Sequence, residues 1–189
     1  MVGPAGDFNQ TASPTEETTH PAPTVTVIIP VYNGGENFQR CLTSLTQAVP
    51  RPLEIIVVAD GDTDGSWQTA VECGVKTLRL HSRTGPASAR NEGARAAQGD
   101  ILFFVDADVE VPRDIIAQLT AVFLWEPDLA ALFGSYDDEP AAPNFLSQYR
   151  NLFHHYIHQT AQAEASTFWG ACGGLWGHAA RSLFYARRV

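Results

Sequence analysis

At 189 residues, with 44% hydrophobic and 17% charged, the chain suits one globular domain with a sizeable core. A formal net charge of −9 argues against a nucleic-acid partner, since proteins that bind such a backbone carry a basic stripe. No apolar window of roughly 18 residues occurs, so no membrane-spanning helix is expected.

Residues 1–23 are rich in Thr, Pro, Ala and Glu without apolar periodicity. They read as a disordered leader ahead of a domain over 24–189. The leader has neither the basic start nor the apolar stretch of a signal peptide, so the expected location is cytoplasmic. Val25–Ile29 is a β-branched strand stopped by Pro30, and Glu36–Gln47 a helix with Phe38, Cys41, Leu42 and Leu45 on one face. Leu53–Ala59 is a second strand. Asp64–Cys73 is a second helix, with Asp64 or Ser66 available as its cap. Val75–Leu80 is a third strand, followed by an Ala-rich helix over Pro86–Gln98 closed by Gly99. Ile101–Val105 is a fourth strand, Pro112–Leu124 a fourth helix with Pro in its first turn, and Leu129–Phe133 a fifth strand. Phe145, Leu146, Tyr149, Leu152, Phe153, Tyr156 and Ile157 recur at helical spacing, which predicts an aromatic amphipathic helix packed on the sheet edge. Cys41, Cys73 and Cys172 are far apart and lack metal-ligand spacing, so they read as reduced thiols in a reducing compartment.

Continuous apolar strands alternating with amphipathic helices imply an α/β fold with a mainly parallel sheet covered on both faces. Ligands of such sheets bind beyond the carboxyl ends of the strands, at a topological switch point. The polar punctuation falls there: Tyr32-Asn33-Gly34-Gly35 after strand one, Asp60-Gly61-Asp62 after strand two, Asp106-Ala107-Asp108 after strand four. Side chains two apart on an extended segment share a side, so Asp106 and Asp108 are expected to converge on one point. Two such carboxylates repel unless a cation lies between them, and Mg²⁺ or Mn²⁺ suits a site whose remaining ligands are phosphates. Gly61, Gly65, Gly85 and Gly99 read as turn residues. No Gly-x-x-x-x-Gly-Lys-Ser/Thr occurs, which excludes a P-loop.

Four segments in order carry a resemblance to a known family. They are Val27–Asn33, Val57–Ser66, Gly85–Gly93, and Gly99-Asp100 leading into Phe104–Asp108. On these the chain resembles the family 2 glycosyltransferases with the GT-A fold, a Rossmann-like sheet incomplete here at the C-terminus. The resemblance implies a nucleotide-sugar-binding half over 24–135 and a partial acceptor-side segment over 136–189. It implies a nucleotide-sugar site drawn from Pro30, Tyr32, Asn33, Asp60, Arg90 and Asp106. In it Asp60 accepts from the imide N–H of a uracil-like base, Tyr32 stacks on that base, and Arg90 approaches the diphosphate or base. Asp108, with Asp106, would hold the metal, and Asp106 would also contact ribose. Asn91 would brace the loop after strand one or two. The implied reaction is inverting transfer from a UDP- or GDP-sugar to a hydroxyl of a saccharide, lipid or protein, with peripheral membrane association open. A catalytically impaired nucleotide-sugar-binding fragment is the alternative. A nucleotidyltransferase fits less well, because Tyr32–Glu36 lacks the basic residue such enzymes carry after strand one.

The sequence departs from the family pattern in places. Ala59 and Asp62 stand where a carboxylate and a serine are common, and Asp62 would weaken phosphate binding unless it points to solvent. An inverting transfer needs a general base, in this family a carboxylate well beyond a small-residue segment such as Phe168–Gly174. The last acidic residue is Glu164, so the base is expected beyond Val189. Asp137, Asp138 and Glu139 read as a solvated loop. His154 and His158 share a helix face, with His155 beside them, but two ligands without an intervening Glu do not make a zinc site. Phe168, Trp169, Trp176 and Phe184 would help to cover the acceptor side.

Overall fold

Successive side chains of a strand point to opposite faces, and in the central strands of this chain both faces are apolar. The computed structural model describes residues 21–135 and 172–179, with Phe145, Gln148, Tyr149, Leu152, Phe153 and Tyr156. In chain order the elements are β1 (Val25–Val31), α1 (Gly35–Thr46), β2 (Glu54–Asp60), α2 (Ser66–Glu72) and β3 (Lys76–Leu80). Then come α3 (Pro86–Ala96), β4 (Ile101–Val105), α4 (Ile115–Trp125), β5 (Ala131–Phe133) and β6 (Cys172–Trp176). Val27 and Ile29 of β1, Val57 of β2 and Phe103 of β4 pack under α1, α2 and α4. Ile28, Ile56, Val58, Leu102 and Phe104 face the other way, onto Ala89 and Ala94 of α3. Phe38, Phe103 and Phe123 are fully buried, each contributing about 1.5–3 kcal/mol by leaving water.

Among the described residues the strands form one six-stranded sheet in the order β3-β2-β1-β4-β6-β5. β1 pairs in parallel with β2 and with β4, and β2 with β3. β6 is antiparallel to both β4 and β5. The chain runs outward from β1 to β3 and then returns to lay β4 on β1's other side. The order therefore reverses at β1 and β4, and their carboxyl ends frame the crevice where open α/β sheets bind ligands.

Several expectations change in detail. Pro30 does not stop β1: the strand continues to Val31 and Pro30 pairs with Val58. Pairing with β4 ends at Ile28, so on that side the missing N–H of Pro30 interrupts no ladder. α4 starts at Ile115 because Pro112–Asp114 form a preceding turn, with the Ile115 N–H donating to the Pro112 carbonyl (3.1 Å). The N-cap of α2 is Gly65, not Asp64 or Ser66, and Asp64 Oδ1 accepts from the Ser66 N–H (3.0 Å) and hydroxyl (2.7 Å). Cys172–Trp176, of which the sequence reading placed Cys172–Gly174 in the small-residue segment Phe168–Gly174, is a strand inserted between β4 and β5. Trp176 is half-buried, edge-on to Phe123 with ring centroids 5.1 Å apart. Phe145, Tyr149, Leu152, Phe153 and Tyr156 are helical and exposed. The rings of Phe145, Tyr149 and Phe153 stack on one another, with centroids 6.2 and 6.0 Å apart. The leader, but for residues 21–23, lies outside the described residues. So do Asp137, Asp138, Glu139, Leu146, His154, His155, Ile157, His158, Glu164, residues 168–171 and Phe184.

Candidate active site

The loops at the carboxyl ends of β1, β2 and β3 are tied to one another by side chains from all three. Asn33 (φ 51°) turns its Oδ1 to accept the Thr63 N–H at 2.8 Å. The Gly34 N–H donates to Ser66 Oγ (3.1 Å) and the Gly35 N–H to Asp64 Oδ2 (3.0 Å). Asn91 makes no hydrogen bond to either loop among the described residues, so the bracing expected of it falls to Asn33, Asp64 and Ser66. Gly61, at φ +70°, has no room for a side chain: a Cβ there would sit 2.6 Å from the Arg83 backbone nitrogen.

Asp60, at the end of β2, is 3% exposed and holds the loop that opens α3. Its Oδ1 accepts the Thr84 N–H (2.7 Å) and hydroxyl (2.8 Å), and its Oδ2 accepts the Gly85 N–H (2.7 Å). Burial pushes its carboxyl up, but the hydrogen bonds from Thr84 and Gly85 and the charge of Arg83 outweigh it and hold it below the usual carboxylate range. Tyr32, 41% exposed, presents its ring at the end of β1, with the Arg83 guanidinium over it at 4.1 Å. Pro30 is buried within β1 below it.

Asp106 and Asp108 follow β4, but the chain is not extended there. The strand ends at Val105, and Asp106–Val109 is a turn closed by the Val109 N–H on the Asp106 carbonyl (3.1 Å). A turn rather than strand alternation therefore sets these two side chains, and the charge of Asp108 is felt at Asp106. Helix α1 props that turn: Cys41 Sγ donates to the Asp106 carbonyl (3.5 Å), and Ser44 Oγ accepts the Val111 N–H (3.2 Å). Arg90 of α3 reaches across to form an ion pair with Asp106 Oδ1. Burial raises the Asp106 carboxyl above its ordinary range, Arg90 opposes this, and the charge of Asp108 adds to it. Burial also pushes the Cys41 and Cys172 thiols up to about 12, away from the thiolate form. Asp62 is buried rather than solvent-facing. Its Oδ2 accepts the Trp67 N–H (3.3 Å) in the first turn of α2, and its Oδ1 has no partner among the described residues.

The donor set fits a divalent ion. Asp106 and Asp108 offer hard oxygen ligands, and a cation beside them would relieve the repulsion felt at Asp106. Among the described residues no group of three or more His, Cys, Asp or Glu could hold a metal. The remaining ligands would have to come from phosphate. Sequence reasoning gathered Tyr32, Asp60, Arg90, Asp106 and Asp108 around one cleft, but gave Arg83 and Thr84 no role and Ser66 only that of a possible helix cap. A readable signal for the first two was the polar Ser82-Arg83-Thr84 just before Gly85-Pro86, at the carboxyl end of a strand.

The sequence profile of glycosyl transferase family 2 matches residues 26–184, and the chain belongs to that family. An uncharacterized glycosyltransferase of Escherichia coli, YibD, is 43% identical over 109 residues, which cover 56% of this chain and 31% of YibD. The mannosyltransferase PcManGT of Pyrobaculum calidifontis, solved with GDP-Man and Mn²⁺, superposes with a TM-score of 0.58 at 27% identity. That match covers 82% of this chain and 44% of PcManGT. Residues 1–349 of TarS from S. aureus, in complex with UDP-GlcNAc, give 0.56 at 25% identity, over 64% of this chain and 36% of theirs. The fold is therefore the GT-A fold that the sequence resemblance implied.

Proposed function

We propose that the chain is the donor-binding part of a glycosyltransferase that uses a UDP- or GDP-sugar with Mg²⁺ or Mn²⁺ and transfers the sugar with inversion to a hydroxyl acceptor. The observation that carries this reading is the ion pair of Arg90 with Asp106 just past β4, where the charge of Asp108 is also felt, beside the switch point between β1 and β4. The GDP-Man and Mn²⁺ bound by PcManGT and the UDP-GlcNAc bound by TarS support it by analogy. Residues 24–135 form the nucleotide-sugar half in this reading, and 136–189 belong to the acceptor side. Buried or reduced thiols suit a cytoplasmic site of action, and no described helix is long and apolar enough to cross a membrane.

In this scheme Tyr32 offers an aromatic face to the base. Asp60 keeps a lone pair on Oδ2, beyond the one taken by Gly85, for an imide N–H. Pro30 and Asn33 shape the floor and the first loop. Arg90 places its guanidinium toward the diphosphate while its pair with Asp106 fixes its direction, and Asp106 also faces the ribose. A divalent ion on Asp108 and Asp106 would supply Lewis-acid neutralisation of the departing nucleoside diphosphate. The acceptor hydroxyl must lose its proton to a general base, a role assigned to none of the described carboxylates.

The test is calorimetric titration of the whole chain with UDP-, GDP- and dTDP-sugars, with and without Mn²⁺, alongside an assay for donor hydrolysis. Metal-dependent binding that is abolished in Asp108→Ala is expected. Failure of every donor to bind with metal present would sink the reading. Hydrolysis without an acceptor would show that the chain supports chemistry as well as binding.

A further inference from the structure

The loop between β3 and α3 carries an arginine that none of the roles above employs. Arg83 is exposed, and its guanidinium sits over the Tyr32 ring, 4.1 Å from the centroid. The backbone beneath it is held on both sides. Gly61 packs against Ser82 and Arg83, so closely that even a methyl would collide with their backbone. Asp60 binds the next two residues, Thr84 and Gly85, by their N–H groups at 2.7 Å each. A long flexible side chain therefore rises from a fixed base, directly over the ring that offers itself to a nucleobase.

We infer that Arg83 is a nucleobase-binding residue: the base of a nucleoside diphosphate inserts between the Tyr32 ring and the Arg83 guanidinium and is stacked on both faces. This role deepens the donor-site reading and rests on it. At 4.1 Å guanidinium and ring are in contact, so the side chain must lift to admit the base. Lifting it gives up one cation–π contact and gains two stacks, one on an aromatic ring and one on a planar guanidinium. Stacking accepts any base, so Arg83 sets affinity, while base identity is left to hydrogen bonding by Asp60.

The experiment is calorimetry of the full chain with Mn²⁺, using UDP, GDP and inorganic pyrophosphate against wild type, Arg83→Ala and Arg83→Lys. Arg83→Ala should weaken UDP and GDP about tenfold and leave pyrophosphate affinity unchanged. Arg83→Lys should recover only part of the loss, because an ammonium keeps the charge but not the plane. Unchanged UDP affinity in Arg83→Ala, an equal loss for pyrophosphate, or full recovery in Arg83→Lys would each overturn the sandwich and leave the donor site standing. Wild-type protein that binds neither UDP nor GDP would remove the donor-site reading and the sandwich together.

Discussion

Asp60 accepts three hydrogen bonds from two residues on a neighbouring loop, and this load makes it a fastener of the site as well as a candidate ligand. Asp60→Asn would turn an amide N–H₂ toward a backbone donor and leave it unsatisfied. We expect a loss of about 1–3 kcal/mol, read by denaturant titration, together with weaker nucleotide binding. Acid should act on the same fasteners. Burial pushes Asp60, Asp64 and Glu54 up, but their hydrogen bonds outweigh it and hold them below the ordinary carboxylate range. In Asp100 the bonds from Thr24 are the largest effect and outweigh a smaller rise from burial. A depressed folded-state value means that the stabilisation is complete above the unfolded value, about 4, and is lost as pH falls through the folded one. Asp106 runs the other way, since burial raises it and the native state holds its proton more tightly. Four groups against one predict a Tm that is flat from about pH 7 to pH 5 and drops below about pH 4. A Tm that rises on acidification would contradict this balance.

Helices α1 and α3 position the site from opposite faces of the sheet. α1 supports the Asp106 turn from below through Cys41 and Ser44, and α3 delivers Arg90 from above. α3 can approach closely because Gly93 faces β1. A Cβ there would lie 2.4 Å from Ile28 Cγ2 and 3.2 Å from Val58 Cγ2. Both neighbours are stiff β-branched side chains on buried strands, so they cannot swing away. Gly93→Ala should therefore destabilise by about 1–2 kcal/mol, the overpacking exceeding the gain in helix propensity. A shifted α3 would also carry Arg90 away from Asp106, so Mn²⁺-dependent nucleotide affinity should fall in the same variant. Unchanged stability would mean that α3 can slide along the sheet. The Ala-rich pattern of Pro86–Ala96 disclosed a helix with a small face, but not that this face is what lets Arg90 reach its partner.

On the scale of the whole molecule, β6 carries the sheet past β4, with β5 beyond it. Its register sets Cys172 against Val105 and Leu175 against Leu102, so β4 has a hydrogen-bonded neighbour on each side. Leu175 is 2% exposed, among residues that also pack on α3. Leu175→Ala should cost about 2–5 kcal/mol, measured by chemical denaturation. The loss should come with earlier aggregation, because a loosened β6 uncovers the edge of an apolar strand. Stability close to wild type would show that β6 contributes little to holding the sheet together. The match to YibD spans 31% of that relative's own length.

The sequence by itself determined the βα alternation, the two apolar faces of β1, β2 and β4, the presence of Tyr32, Asp60, Asp106 and Asp108 near strand ends, and that of Arg90 on the third helix. Such features follow from local periodicity and from short motifs whose spacing survives folding. Tertiary structure decided the rest. Pro30 stays in its strand because pairing with β4 has already ended at Ile28, a fact of register. Asp62 is buried because the first turn of α2 supplies a donor, and Asp60 is engaged because the β3–α3 loop folds back over it. Arg83 meets Tyr32 only through the sheet order, and β6 reaches β4 across 67 positions, from Val105 to Cys172. Contacts between segments so distant in sequence leave no periodic trace along the chain, because each partner's local pattern is satisfied without the other.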